Sequence, residues 1–383
     1  MKSKEKKIVF INQSPGYLMI DILNAFAESG NYEDIALIAG KIRGIERLNR
    51  QVKISRIKSY KIANIRQRLT SWIVGTIQSL FIIWWKYRGF HLFLVSNPPT
   101  ISFITLLCRN SYSTLIYDVY PEGLVLGGFV SRKSLINKIW SRFNQRFYEN
   151  AQHVFTITDG MAEGIKSYCS NVKVQVIPVW SGELKEAPKD KISNKFITLY
   201  SLQDKFIVMY SGNMGKGHDI EVLVQVANNL KEDKDIVFIF IGEGWKKTLI
   251  KDLIQDMNLN NCIVLPYQSA EMLPHSLSAA DLGVVFVPVG AGNVCVPSKT
   301  YNLLPLGVPV MGIAEKNSEI YQLIEKHNIG ACFFKDNIKE ISEFIYTLKN
   351  KEDEKMKYKH NSIIASVHYT PANAYHFVYA FNL

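Results

Sequence analysis

Val208-Met-Tyr-Ser-Gly-Asn-Met-Gly-Lys-Gly-His-Asp219 is an apolar β-forming run that breaks into a turn with three glycines, and the amphipathic run Glu221–Leu230 follows at once. Strand, glycine turn and helix in that order open a βαβ unit, with the turn at the carboxyl end of a parallel strand. Gly212, Gly215 and Gly217 let backbone amides approach an anion closely, and Lys216 adds a point charge beside them. The Gly-Lys-Ser/Thr ending of a Walker loop is missing, and the dinucleotide fingerprint is not matched. Taken singly, the stretch reads equally well as a structural turn.

Working outward, the same alternation fills the chain. Strands are expected at 206–211, 236–241, 262–266, 282–287, 309–313 and 331–334, and in the first half at 8–12, 35–39, 91–96, 114–119, 153–158 and 173–177. Apolar strands alternating with helical stretches predict parallel sheets with crossover helices, an α/β chain of two Rossmann-like domains. The polar stretch after Trp180 interrupts the pattern. The expected division is a domain over 1–180, a linker over 181–204, a domain over 205–362 and a terminal helix over 363–383 that returns to the first domain.

The 383 residues exceed what one core usually organises, and a charged fraction of 21% with 47% hydrophobic residues excludes disorder. No apolar leader follows the basic N-terminus, and five scattered cysteines at no metal-ligand spacing suggest neither a disulfide framework nor a metal site, so a cytoplasmic setting without metal or other cofactor is expected. The net charge of +11 is lopsided: residues 1–180 hold 24 Lys and Arg against 11 acids, whereas 181–383 hold 21 against 23. Only the first half should meet an anionic surface.

Three more strand ends in the second half carry polar or glycine-rich loops. Phe240-Ile-Gly-Glu-Gly-Trp places Gly242 and Glu243 at one, and Leu265-Pro-Tyr-Gln places Tyr267 and Gln268 at another, just before Met272 and a short helical run. Val289-Gly-Ala-Gly-Asn-Val-Cys-Val-Pro-Ser-Lys299 leads a glycine-rich loop into a helix whose first turn holds Pro297, Ser298 and Lys299. A lysine there opposes the helix dipole, a conflict that an anionic ligand relieves; the plainer alternative is a solvated lysine.

In their order, these segments resemble the retaining GT-B glycosyltransferases of the family 4 type, especially bacterial members that extend lipid-linked surface polysaccharides. The likeness is strong over 205–335 and fainter before it. It implies two facing domains with a nucleotide-sugar donor held by the second, the diphosphate at Gly212, Gly215, Lys216 and Lys299, the base near Tyr267 and Gln268, and further donor contacts from Asn213, Gly242, Glu243, Met272, Gly292, Asn293, Val294, Pro297, Ser298 and Asn302. On the first domain it implies acceptor contacts from Ser14, Gly16, Tyr17, Asp118, Tyr120 and Glu122. Catalytic roles fall to Lys216, Lys299 and Asp118. The chain departs from the family where two glutamates are usual: Gly292 or Asn293 stands at one position and Asn302 at the other. The usual diphosphate arginine is replaced by Asn213 or Met214, and no arginine follows Arg146.

The implied function is transfer with retention from a nucleoside-diphosphate sugar, a UDP-sugar being favoured, to a polyprenyl-diphosphate-linked saccharide. Two alternatives stand beside it: a non-catalytic nucleotide-sugar-binding subunit, motivated by the missing acids, and a sugar-nucleotide epimerase. Ten cations between Lys41 and Arg68 face the single acid Glu46, and the apolar run Trp72–Trp85 follows, too short for a confident membrane span. A second stretch, Arg132–Phe147, interleaves cations with Ile136, Ile139, Trp140 and Phe143. Both suit an anionic membrane surface at the inner face of the cell membrane; a core helix with a solvated basic approach is the other reading. No nucleic-acid-binding motif accompanies the charge, so no such partner is expected.

Overall fold

The computed structural model describes residues 6–61, 65–126, 128, 130–182, 190–292 and 298–381. They organise into two compact units, one of Met1–Val179 with Pro371–Leu383 and one of Trp180–Thr370.

In the first unit the strands are β1 (Lys7–Ile11), β2 (Asp34–Ala39), β3 (Lys53–Arg56), β4 (His91–Val95), β5 (Tyr112–Ile116), β6 (Val154–Thr156) and β7 (Val174–Val176). They form one parallel sheet in the order β3-β2-β1-β4-β5-β6-β7. Its helices are α1 (Tyr17–Glu28), α2 (Ile65–Lys86), α3 (Glu122–Leu126), α4 (Leu135–Glu149) and α5 (Asp159–Lys166). The central strands β1 and β4 are continuous apolar runs because both faces of the sheet are covered.

The second unit repeats the plan with β8 (Phe206–Ser211), β9 (Ile236–Ile241), β10 (Cys262–Leu265), β11 (Leu282–Phe286), β12 (Val310–Ile313) and β13 (Gly330–Phe333), in the order β10-β9-β8-β11-β12-β13. Around it lie α6 (Lys195–Tyr200), α7 (Glu221–Asn229), α8 (Lys247–Asp256), α9 (Leu273–Ser278), α10 (Thr300–Leu303), α11 (Glu319–His327), α12 (Ile338–Asn350) and α13 (Glu352–Ser366). The chain winds outward from β8 to β9 and β10, then returns to pair β11 on β8's other side. The reversal leaves a crevice beyond the carboxyl ends of β8 and β11, where such folds bind ligands.

Twelve strands stand where the sequence pattern puts them, with ends shifted by up to three residues. β3 was not anticipated. It is an edge strand that buries only Ser55 of its four residues, so it carries no apolar signature. The stretch 181–204 is not linker throughout, since α6 folds into the second unit. The tail 363–383 is not one helix either: α13 ends at Ser366, and a 3-10 turn at Pro371–Asn373 leads into α14 (Ala374–Ala380). α14 belongs to the first unit, where Phe377 and Phe381 pack edge-on or stacked against Phe93.

Asn194 shows how α6 helps to build the crevice. Its side-chain oxygen caps α6 by accepting from the Phe196 and Ile197 amides, while its amide nitrogen donates to the His275 carbonyl and Ser278 hydroxyl of α9. One buried side chain thus fixes both helices. Asn194→Ala removes the cap and strands buried partners, so it should destabilise the second unit by about 2–3 kcal/mol, read from the urea midpoint of the full chain.

Candidate active site

The crevice at the β8–β11 reversal is shaped first by backbone. Beyond their strand ends, the loops after β8 and β9 stay hydrogen-bonded: the Gly212 amide donates to the Ile241 carbonyl at 2.7 Å and the Met214 amide to the Glu243 carbonyl at 2.8 Å. Such an approach demands glycine opposite. Gly242 has φ +149° and a Cβ on it would overlap the Gly212 carbonyl; Gly244, with φ +148°, would strike the Met214 backbone.

Above this platform, a cavity of about 370 Å³ opens. Its size suits a small-molecule ligand. Gly212, Asn213, Tyr267, Ser298, Lys299 and Asn302 line it, so the structure brings together these six of the residues singled out in the sequence. Leu273 and Leu277 of α9 and Val284 and Phe286 of β11 supply apolar wall.

Polar groups converge at one end. The Tyr210 hydroxyl donates to the Asn213 carbonyl at 2.7 Å, and His218 Nδ1 lies 2.9 Å from the same oxygen, where its N–H tautomer donates to it. Burial holds the His218 imidazole below its ordinary pKa against that hydrogen bond, with Lys299 and Lys246 adding repulsion and Asp219 opposing it, a balance that favours the uncharged ring. The Lys299 ammonium lies directly over Gly212, in the space a Cβ there would take. Lys299 keeps contact with solvent along its chain, yet the protein packed around its ammonium brings the pKa down to about 8. Among the described residues no carboxylate pairs with it. The nearby Lys246 is committed to Glu221 at 2.6 Å.

Other sequence candidates fall elsewhere. Lys216 is exposed, its ammonium 5.5 Å from the centre of the Trp245 ring, and it does not line the cavity. Glu243 pairs with Lys247 at 2.6 Å. Gly215 and Gly242 shape the loops from behind, the Gln268 amide donates to the Pro266 carbonyl, and Met272 flanks α9 without reaching the cavity. Gly292 packs against the start of α11, a Cβ there lying 3.1 Å from Asn317 Oδ1 and from Ser318 Cα, so the position has little room for a longer side chain. Asn302 Oδ1 accepts from the Gly182 amide at 3.0 Å. Asn293, Val294 and Pro297 lie outside the described residues. α10 is four residues long, so its dipole is slight and Lys299's conflict is one of desolvation. Tyr210, His218 and the α9 leucines were missed; an alternating strand and an isolated histidine carry no signal of their own.

In the first unit, the candidates gather at the carboxyl end of its sheet. Ser14 and Gly16 lie in the turn between β1 and α1, and Tyr17 meets Tyr117 beyond β5, its hydroxyl pushed up to about 12 by burial and then by Asp21. Asp118 reaches solvent, but surrounding protein raises its carboxyl to about 6, opposed by the Arg68 guanidinium. Arg68 lies over the rings of Tyr60 and Trp72, Trp72 meets Tyr120 edge-on, and Tyr120 stacks on Trp140. Glu122 is the exception. It sits among Tyr148 and Tyr168, whose hydroxyls it raises after burial has done so, and it is not a free carboxylate at the loop.

Residues 194–363 match the family of glycosyl transferases group 1. The chain is 26% identical over 251 residues to the probable glycosyltransferase WbjE of Pseudomonas aeruginosa, covering 63% of this chain and 62% of WbjE. It is 27% identical over 226 residues to the putative colanic acid biosynthesis glycosyl transferase WcaI of Escherichia coli, covering 57% of this chain and 54% of WcaI. The chain thus spans between half and two thirds of the length of these relatives. HepE of Anabaena, solved in complex with UDP and glucose, has the same fold, with a TM-score of 0.69 at 14% identity over 99% of both chains. Two parallel-sheet, Rossmann-like domains of the GT-B kind are therefore established.

The two glycines of the platform should respond differently to alanine. Gly242→Ala drives a Cβ into backbone at a left-handed φ and should cost at least about 2 kcal/mol, lowering the thermal midpoint by roughly 4–8 °C. Gly212→Ala meets the movable end of Lys299 and crowds the hydrogen-bonded Tyr210 ring only slightly, so it should lower the midpoint less than Gly242→Ala while displacing the ammonium, which thermal unfolding and a crystal structure of the variant would check.

Proposed function

We propose that this protein, which carries a group 1 glycosyl transferase domain over residues 194–363, transfers a sugar from a UDP-sugar to a lipid-linked saccharide during surface-polysaccharide synthesis. One observation carries the reading: the Lys299 ammonium stands over the Gly212 turn, at the β8–β11 reversal, with no carboxylate partner among the described residues. A desolvated cation above closely approaching backbone is suited to a diphosphate, and the adjoining apolar wall to a base. The relatives' names point the same way, as does the UDP bound by HepE.

In this reading, Lys299 stabilises the charge that builds on the diphosphate as the glycosidic bond breaks. The acceptor hydroxyl bonds to the anomeric carbon on the face the diphosphate leaves, and its proton passes to a departing phosphate oxygen. Configuration is retained, no metal is called for, and no carboxylate pair takes part. Lys, a point charge, replaces the bidentate fork of an arginine. Asp118, beside Arg68 in the first unit, is assigned to the acceptor. A donor-binding subunit without transferase activity is the second reading, favoured by the crowding at Gly292 and by the engaged Asn302 oxygen, which leave no acid at either position. Release of UDP from UDP-glucose or UDP-N-acetylglucosamine in the presence of a polyprenyl-diphosphate saccharide decides between them, and nucleotide binding without release would favour the second.

Lys299→Ala should weaken UDP binding by about ten- to a hundred-fold, whereas Lys216→Ala should change it little. A bound diphosphate favours the charged amine. Wild-type affinity should therefore be full below pH 8 and fall, by up to about ten-fold per pH unit, above it. Lys299→Arg should abolish that fall. Calorimetric titration of UDP across pH 6.5–9.5, a range set by the shifted lysine at about 8, checks all three.

The reading also places the protein at the inner face of the cell membrane, as a peripheral protein. No helix among the described residues is long and apolar enough to cross a membrane. α2 nevertheless exposes Leu69, Ile73, Ile77, Phe81, Trp84 and Trp85 along one side, with Trp85 88% exposed. Cations flank the stripe at Arg66, Lys86 and Arg88. Such a helix suits the head-group boundary. Phe81→Ser with Trp85→Ser should lower co-sedimentation with phosphatidylglycerol-containing vesicles at least several-fold without altering UDP affinity; unchanged sedimentation would remove the membrane from the reading.

A further inference from the structure

On α4, Ile139, Arg142, Phe143, Arg146 and Phe147 follow one another at spacings of three, one, three and one, so a single face carries three apolar side chains and two guanidinium groups. That face and the end of the 3-10 segment Pro99–Leu106 bound a groove of about 820 Å³. Phe143, Phe147 and Tyr112 line it, and Leu106 and Ile139 stand at its rim, each about two-thirds exposed (68% and 65%). Glu149, also in the lining, is engaged: it accepts from the Gln145 amide at 3.2 Å and lies 3.7 Å from the Cys169 thiol. Among the described residues no carboxylate pairs with Arg142 or Arg146, although the two like charges sit one helical turn apart and repel.

The groove is also continuous with more apolar surface. The Leu107 carbonyl accepts from Trp84 Nε1 at 3.2 Å, which joins the tip of the 3-10 segment to the exposed stripe of α2. Leu135 and Ile136 continue the apolar surface along the start of α4.

We propose that this groove binds one molecule of an anionic glycerophospholipid, with the phosphate diester between Arg142 and Arg146 and an acyl chain along Leu106, Ile139 and Phe143. Two guanidinium forks recognise phosphate oxygens in pairs. A free phosphate would satisfy them but leave the apolar rim in water, whereas a lipid meets both. This inference rests on the membrane reading and adds a discrete, saturable site to it.

The test uses the full chain and dihexanoylphosphatidylglycerol, a lipid short enough to remain monomeric, titrated calorimetrically beside inorganic phosphate. Vesicles of phosphatidylcholine with and without phosphatidylglycerol are sedimented in parallel. One-site binding of the short lipid is expected, weakened by about ten-fold or more for each of Arg142→Gln and Arg146→Gln. The pair Arg142→Lys and Arg146→Lys should keep vesicle binding but lose several-fold for the short lipid, because charge persists and the fork does not. Thermal unfolding checks that these variants fold. Inorganic phosphate binding as tightly as the lipid, or lipid binding indifferent to both arginines, overturns the proposal. Vesicle binding without short-lipid binding overturns the groove and leaves the membrane reading standing. Failure of both removes the two together.

Discussion

The close approach of the loops after β8 and β9 is the constraint on which the second unit's site depends. Two strands that diverge at their carboxyl ends would leave those loops solvated and variable. Here the Gly212 and Met214 amides keep pairing with the Ile241 and Glu243 carbonyls, and only glycine at 242 and 244 permits the contact. The result is a fixed backbone platform at the point where the strand order reverses. Pre-organisation of this kind costs nothing when a ligand arrives, because the loops are already ordered.

That rigidity gives Lys299 its character. A lysine on a mobile surface would swing into water and keep its ordinary basicity. Held above Gly212, with Tyr210 and His218 already turned to the Asn213 carbonyl, the ammonium loses water without gaining a carboxylate. Lys246, close by, took the other course and paired with Glu221. The two neighbouring lysines thus differ: Lys246 ties the start of α8 to α7, and Lys299 has no carboxylate partner among the described residues.

How far the site was legible follows from the same distinction. The glycine turn, the Ser298–Lys299 turn and the β8 and β9 strands were readable because backbone requirements write themselves as glycine and as continuous apolar runs. Lys216 was assigned to the diphosphate because it lies between glycines, yet sequence adjacency does not fix direction, and the side chain lies over Trp245. Glu122 misled in the same way: it follows a loop, but the first residue of α3 turns it toward Tyr148 and Tyr168. Tyr210 and the α9 leucines became site residues only through tertiary packing. β3 escaped notice because an edge strand that buries one residue needs no apolar pattern, whereas the division of the tail is written in the sequence: Pro371 interrupts the helical run between α13 and α14.

The charge asymmetry between the halves acquires a physical cause once ion pairs are located. In the second unit, several cations pair with nearby acids, Lys191 with Asp281, Lys246 with Glu221 and Lys349 with Asp233. Among the described residues of the first unit, ion pairs join Lys7 to Glu33 and Asp34, Lys53 to Asp34, Arg47 to Asp21 and Lys166 to Glu163, and none involves a cation of α2 or α4. Exposed ion pairs stabilise a fold by little, so leaving these cations unpaired costs the first unit little stability. What it does create is a field of one sign beside exposed tryptophan, phenylalanine and isoleucine. Water solvates the cations well and the apolar side chains poorly; the boundary of an anionic bilayer suits both at once. The positive charge of the chain is thus concentrated where apolar side chains also reach the surface, and in the near-neutral second unit Lys299 stands at the strand reversal without a carboxylate partner among the described residues.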